Sequence, residues 1–324
     1  MLDLLNLQPH QISNDLRGYS VMFYGEPKSG KTTTASKFPK SLILAFEKGY
    51  AALPGVMAAP MNSWSDFLKI LRQLKDDGVK EKFETIVIDT VDIAYDYCEQ
   101  YICAQAGVES IGDIPFGGGY SKVAKEFDTK LRAVVQLDYG LVLISHSTDK
   151  VFKDETGVEY NKIIPTLPAK PRLIAGRMCD IIGYSRSVDT ADGSKTMLFM
   201  RGTQRFEAGS RFKYTPDYIE FSYGNLVKAI QEAVKRQTDE DGSDIASVKS
   251  NINSSNLIEH DFDGLMKEFS TITAKMIEQD AMKNVPRITE IVERHLGIGK
   301  KASEMSRAQA DILDIIVFEL KQLK

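Results

Sequence analysis

Between Tyr24 and Pro39 the chain reads YGEPKSGKTTTASKFP, and the stretch from Gly25 to Thr32 fits the spacing G-x-x-x-x-G-K-S/T. No other feature narrows the fold as much. The apolar run YSVMFYG (19–25) just upstream reads as a buried strand, and the residues from roughly 30 to 38 read as a helix. The glycines therefore fall at a strand-to-helix turn, where they let the backbone curl until successive N–H groups and the helix N-terminus face one point. Such a loop binds phosphate. The expected cofactors are ATP and Mg²⁺, cradled by Gly25, Glu26, Pro27, Lys28, Ser29 and Gly30, with Thr33 alongside. Lys31 is placed to reach the β- and γ-phosphates, and the Thr32 hydroxyl to hold the metal ion.

Three more nearly continuous apolar runs follow: SLILAFE (41–47), ETIVIDT (84–90) and YGLVLISH (139–146). Continuity rather than alternation is the pattern of strands covered on both faces of a parallel sheet. Amphipathic helices fit between them at 64–78 and 121–137, so the expected fold class is α/β, a mainly parallel central sheet flanked by helices. From about 150 the texture changes to hairpins, one turning at Asp154 to Gly157 and one at Asp192-Gly193. A helix at about 224–236 closes this part. The expected organisation is an ATPase core at 1–236, a polar linker at 237–256 and a small helical domain at 257–324. Within that domain, helices are expected near 257–280, 284–296 and 306–323. The last would start from a Ser306/Gln309 capping box and carry an apolar stripe from Ala310 to Leu323.

A net charge of −4 over 324 residues excludes a wholesale polyanion binder, so any nucleic-acid contact must use a local patch. Three cysteines (Cys98, Cys103, Cys179) lack the spacing of a zinc site or a disulfide framework. No basic leader and no membrane-length apolar run is present, and the expected location is the cytoplasm.

The partner of the phosphate loop is TIVIDT, whose apolar residues run into Asp89. A carboxylate at the C-terminal end of a core strand lies at the ligand-binding edge of such a sheet and suits the Mg²⁺ shell. Glu47 ends the run after the loop helix; on a strand beside the loop strand it would be a general base for water, or else an exposed strand-end glutamate. Ser145 and His146 end the fourth run, as γ-phosphate sensors or as structural hydrogen-bonding groups.

Taken in order, GEPKSGKTTTASKFP, LAFEKG, TIVIDT, DIPFGGGYSKV, LISH and RFEAGSRFK make the chain, over about residues 15–225, resemble the RecA-like P-loop ATPases. More narrowly it resembles the phage-encoded RecA-like single-strand annealing and recombination proteins. The resemblance implies catalytic roles for Lys31, Glu47, Asp89, Ser145 and His146. It also implies Mg-dependent, DNA-stimulated hydrolysis, binding of single-stranded DNA, and a homo-oligomer with sites at subunit interfaces. Arg211 and Lys213 resemble the basic pair such subunits offer to a neighbour's γ-phosphate, with Arg205 in reserve; they are otherwise ordinary surface cations. Residues 149–213 carry twelve Lys/Arg against eight Asp/Glu, a net of +4, and the proline-rich IPTLPAKPRL (164–173) is expected as a loop there that tracks a phosphate backbone. The terminal helices lie outside the resemblance and would recruit a replication or single-strand binding protein. The same residues permit a helicase loader or recombination mediator, and less readily a small-molecule kinase or a nucleotide-clamped structural protein.

Overall fold

The apolar runs become the middle of one sheet. In the computed structural model, which describes residues 16–191, 193–241 and 261–323, the first unit contains β1 (Ser20–Gly25), β2 (Ser41–Ala45), β3 (Ala58–Pro60), β4 (Thr85–Asp89) and β5 (Gly140–Lys153). It continues with β6 (Glu159–Pro165), β7 (Ile181–Thr190), β8 (Gly193–Phe199), β9 (Gly209–Ser210) and β10 (Tyr218–Glu220). Its helices are α1 (Lys31–Ala35), α2 (Trp64–Gln73), α3 (Asp77–Lys82), α4 (Val91–Ala106), α5 (Gly118–Gln136), α6 (Ala169–Met178) and α7 (Tyr223–Asp241). The chain divides into two compact units, Met1–Asn256 and Leu257–Lys324.

The sheet runs β10-β8-β7-β1-β5-β4-β2-β3, with β6 on β5 and β9 on β7. From β7 to β3 every pairing is parallel, and the antiparallel pairings belong to β6, β8, β9 and β10. The fold is thus α/β with a mostly parallel centre. Met22, Leu44, Ile86, Ile88 and Leu143 pack one face against Trp64, Phe67 and Phe127 of the flanking helices. Phe23, Ile43, Val87 and Ile144 pack the other face against Ala35, Leu226 and Ile230. Alternating residues of each strand feed two cores, which is why the runs show no polar face. Each such side chain, fully buried, contributes about 1.5–3 kcal/mol.

Several expectations change. The helix expected over 64–78 ends at Gln73, and Asp76 caps a new one by accepting from the Gly78 N–H at 2.9 Å. The proline-rich segment is not a loop throughout, for Ala169–Met178 is helical. Pro171 is tolerated because first-turn N–H groups have no helical partner to lose. The strand that leads into Glu47 does not lie beside the loop strand: β5 and β4 separate β1 from β2. All these strands are equally apolar, so nothing in their composition ranks them across the sheet. Asp192, in the second expected hairpin turn, lies outside the described residues, while β7 and β8 pair around it in register Thr190 to Gly193. Of the expected linker, 237–241 extends α7 and the remainder lies outside the described residues.

The second unit holds α8 (Phe262–Gln279), α9 (Ala281–Leu296) and α10 (Ala310–Gln322). The Ser306/Gln309 capping box is present, and Leu313, Ile316, Val317 and Leu320 are buried, with Met276, Ile291 and Val292 in the same small core. The three cysteines are free and buried. Among the described residues no helix is long and apolar enough to cross a membrane.

Candidate functional site

Parallel register brings the C-terminal ends of the strands to one edge. Gly25 lies opposite His146 on one side and Ser185 on the other, and Asp89 lies opposite Ile144 and Ala45. The turn after β1 needs its glycines for different reasons. At Gly25 (φ +148°) an added Cβ would come within 2.0 Å of the Ser185 carbonyl oxygen. At Gly30 (φ +81°) space is open and only the backbone conformation is demanding. Strand β7 backs the loop: the Ser29 and Ser185 hydroxyls are 2.8 Å apart, the Glu26 N–H donates to the Ser185 carbonyl, and the Ser187 N–H donates to the Glu26 carboxylate. Ser185 is fully buried. Its sequence signal was faint, a serine interrupting IIGYSRS.

Lys31 opens α1 and is 6% exposed. Its ammonium donates to the carbonyls of Gly25 (3.1 Å) and Glu26 (2.7 Å) and to the Ser29 hydroxyl (3.4 Å). Burial pulls its pKa down, opposed by the nearby Asp89, Glu47 and Asp92. A buried cation held on neutral acceptors is a group that an anionic phosphate would satisfy more fully. Pro27, Lys28 and Thr33 lie on the exposed rim of the same loop, Lys28 at a left-handed φ of 62°.

Asp89 accepts from the Thr32 hydroxyl at 2.7 Å. Burial pushes its carboxyl above the usual range, the Thr32 bond opposes this, and Glu47 adds to the rise. Gly49 completes the cradle, since a Cβ there would stand 3.2 Å from the Thr32 hydroxyl oxygen and 3.3 Å from an Asp89 carboxylate oxygen. Hydroxyl, carboxylate and bare backbone thus fit Mg²⁺, which takes few protein oxygens and keeps its remaining positions for phosphate and water.

Glu47 reaches this edge despite its distant strand. The N–H groups of Phe46 and Glu47 both donate to the Asp89 carbonyl, at 2.7 and 3.0 Å, which folds the end of β2 across the end of β4. Its two carboxylate oxygens then lie 3.4 Å from His146 Nε2, while the buried His146 Nδ1 has no partner among the described residues. Ser145 is fully buried and points elsewhere, donating at 2.8 Å to Asp92. Asp92 also accepts from the His146 N–H at 3.3 Å, and burial pushes its carboxyl up. Asp92 went unnoticed in the sequence because an acidic residue in a helix's first turn has an ordinary explanation in the helix dipole.

Arg211 and Lys213 are not at this edge. Arg211 donates to Asp180 at 3.0 Å and to the Arg177 carbonyl, and Asp180 also accepts from the Ser20 N–H at the start of β1. That is the opposite end of the strands, roughly 17 Å from the loop by strand rise. The Lys213 ammonium stands over the Tyr214 ring at 4.9 Å, and the Lys213 carbonyl accepts from Arg201. Arg205 lies in a turn whose backbone is bonded to β6 through Ile163.

Comparison with known proteins agrees with the fold. Residues 17–212 match the family model described as AAA domain. The chain is 32% identical over 334 residues to the SPbeta prophage-derived uncharacterized protein YorG of Bacillus subtilis (strain 168), covering 99% of this chain and 98% of that protein.

Proposed function

Because the chain belongs to the AAA domain family of P-loop ATPases, we propose that it binds ATP with Mg²⁺, hydrolyses it, and acts on single-stranded DNA in recombination, by annealing or strand exchange. Its relative is prophage-derived, and the reading places this protein among phage functions in a host cytoplasm. The observation that supports it best is spatial. The phosphate loop, Asp89, Glu47 and His146 share one sheet edge, and from that edge β5 and β7 run on into hairpins within the stretch of net charge +4.

In this reading Lys31 meets the β- and γ-phosphates, while Thr32 and Asp89 hold the ion, which supplies charge neutralisation on the transferring phosphoryl group. Glu47 accepts the proton of the attacking water. His146 joins Glu47 to β5, and Ser145 with Asp92 fixes the end of that strand. Arg211 and Lys213 face away from their own loop, so their catalytic contribution is to a neighbouring subunit in a homo-oligomer. Hydrolysis per subunit then falls on dilution; a flat rate would remove this part and leave Arg211 as a clip on Asp180.

The deciding experiment is ATP hydrolysis by the purified protein with and without single-stranded DNA, at low and moderate salt, with Lys31→Ala as blank. Salt-sensitive stimulation supports the reading. Lys31-dependent turnover without stimulation moves it to a helicase loader or recombination mediator. That second reading draws on the helical unit with its own core, a module suited to docking a replication or single-strand binding protein. Binding of such a partner unchanged after deletion of 257–324 would exclude that role for the unit. Glu47→Gln should abolish phosphate release with nucleotide binding intact, and unchanged turnover would reject the base assignment.

A further inference from the structure

A groove of about 920 Å³ lies between the two hairpins, and no role assigned above uses it. Its lining combines three aromatic rings (Tyr160, Phe199, Phe206), two guanidinium groups (Arg186, Arg205) and one carboxylate (Asp149). Such a mixture suits flat, uncharged rings joined by anionic linkers. The Arg186 guanidinium stands 5.6 Å over the Phe199 ring. Tyr160 stacks on Phe152 along its hairpin at 6.0 Å.

The groove is braced. The Ile163 N–H donates to the Arg205 carbonyl at 2.8 Å, and the Glu207 N–H donates to the Ile163 carbonyl at 3.2 Å, which locks the Arg205–Glu207 turn onto β6. The Tyr24 hydroxyl donates to the carbonyls of both Ile163 and Glu207. Burial pushes that phenol far above its ordinary pKa, so it stays a donor across the usable range. Tyr24 directly precedes Gly25 of the phosphate loop. Its ring stacks on Tyr184 at 5.1 Å, Tyr184 meets Phe206 at 5.2 Å, and Phe206 meets Phe199 at 5.1 Å. A continuous aromatic column therefore joins the nucleotide loop to the groove wall.

We propose that this groove is where unpaired nucleotides bind, their bases against Tyr160 and Phe199 and their phosphates against Arg186 and Arg205. The proposal rests on the single-stranded DNA reading above. A base stacked on an aromatic side chain typically gains enough to change affinity about tenfold per ring, and each phosphate contact adds a salt-dependent share. In a duplex the base faces are covered by stacking on neighbouring pairs, so a duplex should bind the groove poorly.

The test measures anisotropy of a fluorescent oligothymidylate and of an abasic oligonucleotide of equal length, with Mg²⁺ and a non-hydrolysable ATP analogue. The unmodified protein is compared with Tyr160→Ala and Arg186→Ala, and analogue binding and thermal melting serve as checks on folding. The expected results are about tenfold weaker oligothymidylate binding for Tyr160→Ala, about a hundredfold weaker binding of the abasic strand by unmodified protein because both rings lose their bases, and no further abasic loss in Tyr160→Ala. Arg186→Ala should lower the salt slope by about one. Both variants binding within about twofold of unmodified protein, while folded, overturns the groove and leaves single-stranded DNA as partner. Failure of the unmodified protein to bind either oligonucleotide instead rejects the single-stranded DNA reading, and the groove assignment with it. Equal binding of duplex and single strand overturns the stacking role.

Discussion

The two edges of the sheet each hold a carboxylate whose pKa burial has raised, the buried Asp89 at one and the partly buried Asp180 at the other. Asp180 has a full complement: the Ser20 N–H at 2.8 Å and the Arg211 guanidinium at 3.0 Å. Asp89 has one side-chain donor among the described residues, the Thr32 hydroxyl, and another carboxylate, Glu47, near enough to push its pKa further up. The nearby ammonium of Lys31 bonds to carbonyls rather than to Asp89. The same residue type is thus closed by an arginine of its own chain at one edge and met by a hydroxyl at the other, where the proposed cation and phosphate would complete it. A structural ion pair and a ligand site differ in what surrounds the charge, not in the charge itself.

The largest effect that sharpens this contrast is loss of the lysine. Lys31→Ala should lower phosphate release about 100-fold or more, as removal of one preorganised charge at a reacting phosphoryl group does. Turnover within a factor of two of the parent would break the comparison, because the open edge would then not be the site.

Next come the glycines that let β1 turn into the loop. Gly25→Ala must place a Cβ against the backbone oxygen of buried Ser185 and should cost about 3 kcal/mol in denaturant unfolding. Gly30→Ala meets open space and should cost only about 1 kcal/mol, from its left-handed backbone. Equal costs would mean that β7 does not support the loop as described.

At the closed edge, Arg211→Ala should lower stability by about 1 kcal/mol, because Asp180 keeps its Ser20 N–H while its exposed partner is screened by solvent. Unfolding in urea checks this. A much larger loss would mean that Arg211 holds more than a single carboxylate.

The smallest effect concerns pH. Burial raises the Asp92 carboxyl above its ordinary value of 3.8, so the folded protein binds that proton more tightly than the unfolded chain. Stability from this group is full below the unfolded value and is lost as pH rises through the folded one. In Asp92→Asn that component vanishes, so the variant's urea midpoint should gain on the parent's as pH rises from about 4 to about 7. A constant gap would show that the Ser145 and His146 donors fully offset the burial.

Much of this was legible in the chain. A phosphate loop is one contiguous segment, and its chemistry follows from residue type and spacing, so Gly25 to Thr32 needed no neighbours to be found. The α/β class followed equally from unbroken apolar runs, since a strand with two covered faces cannot show a polar one. Strand order was not legible. Glu47 was expected beside the loop strand and instead follows β2, with two strands between, yet the bonds from Phe46 and Glu47 to the Asp89 carbonyl return it to the site. Asp92, Ser185 and Gly49 escaped notice because their parts depend on residues distant in sequence, and the helix at Ala169–Met178 was masked by prolines that only its first turn accommodates.

The sequence by itself determined the phosphate-binding turn, the buried character of the strands and the capping box at Ser306, each a matter of local backbone and side-chain chemistry. Tertiary structure alone decided which strands adjoin, which carboxylate is closed by an arginine and which stands open, and where the hairpins enclose a groove. These depend on contacts between segments far apart in the chain, where packing and burial, rather than local preference, set the free energy.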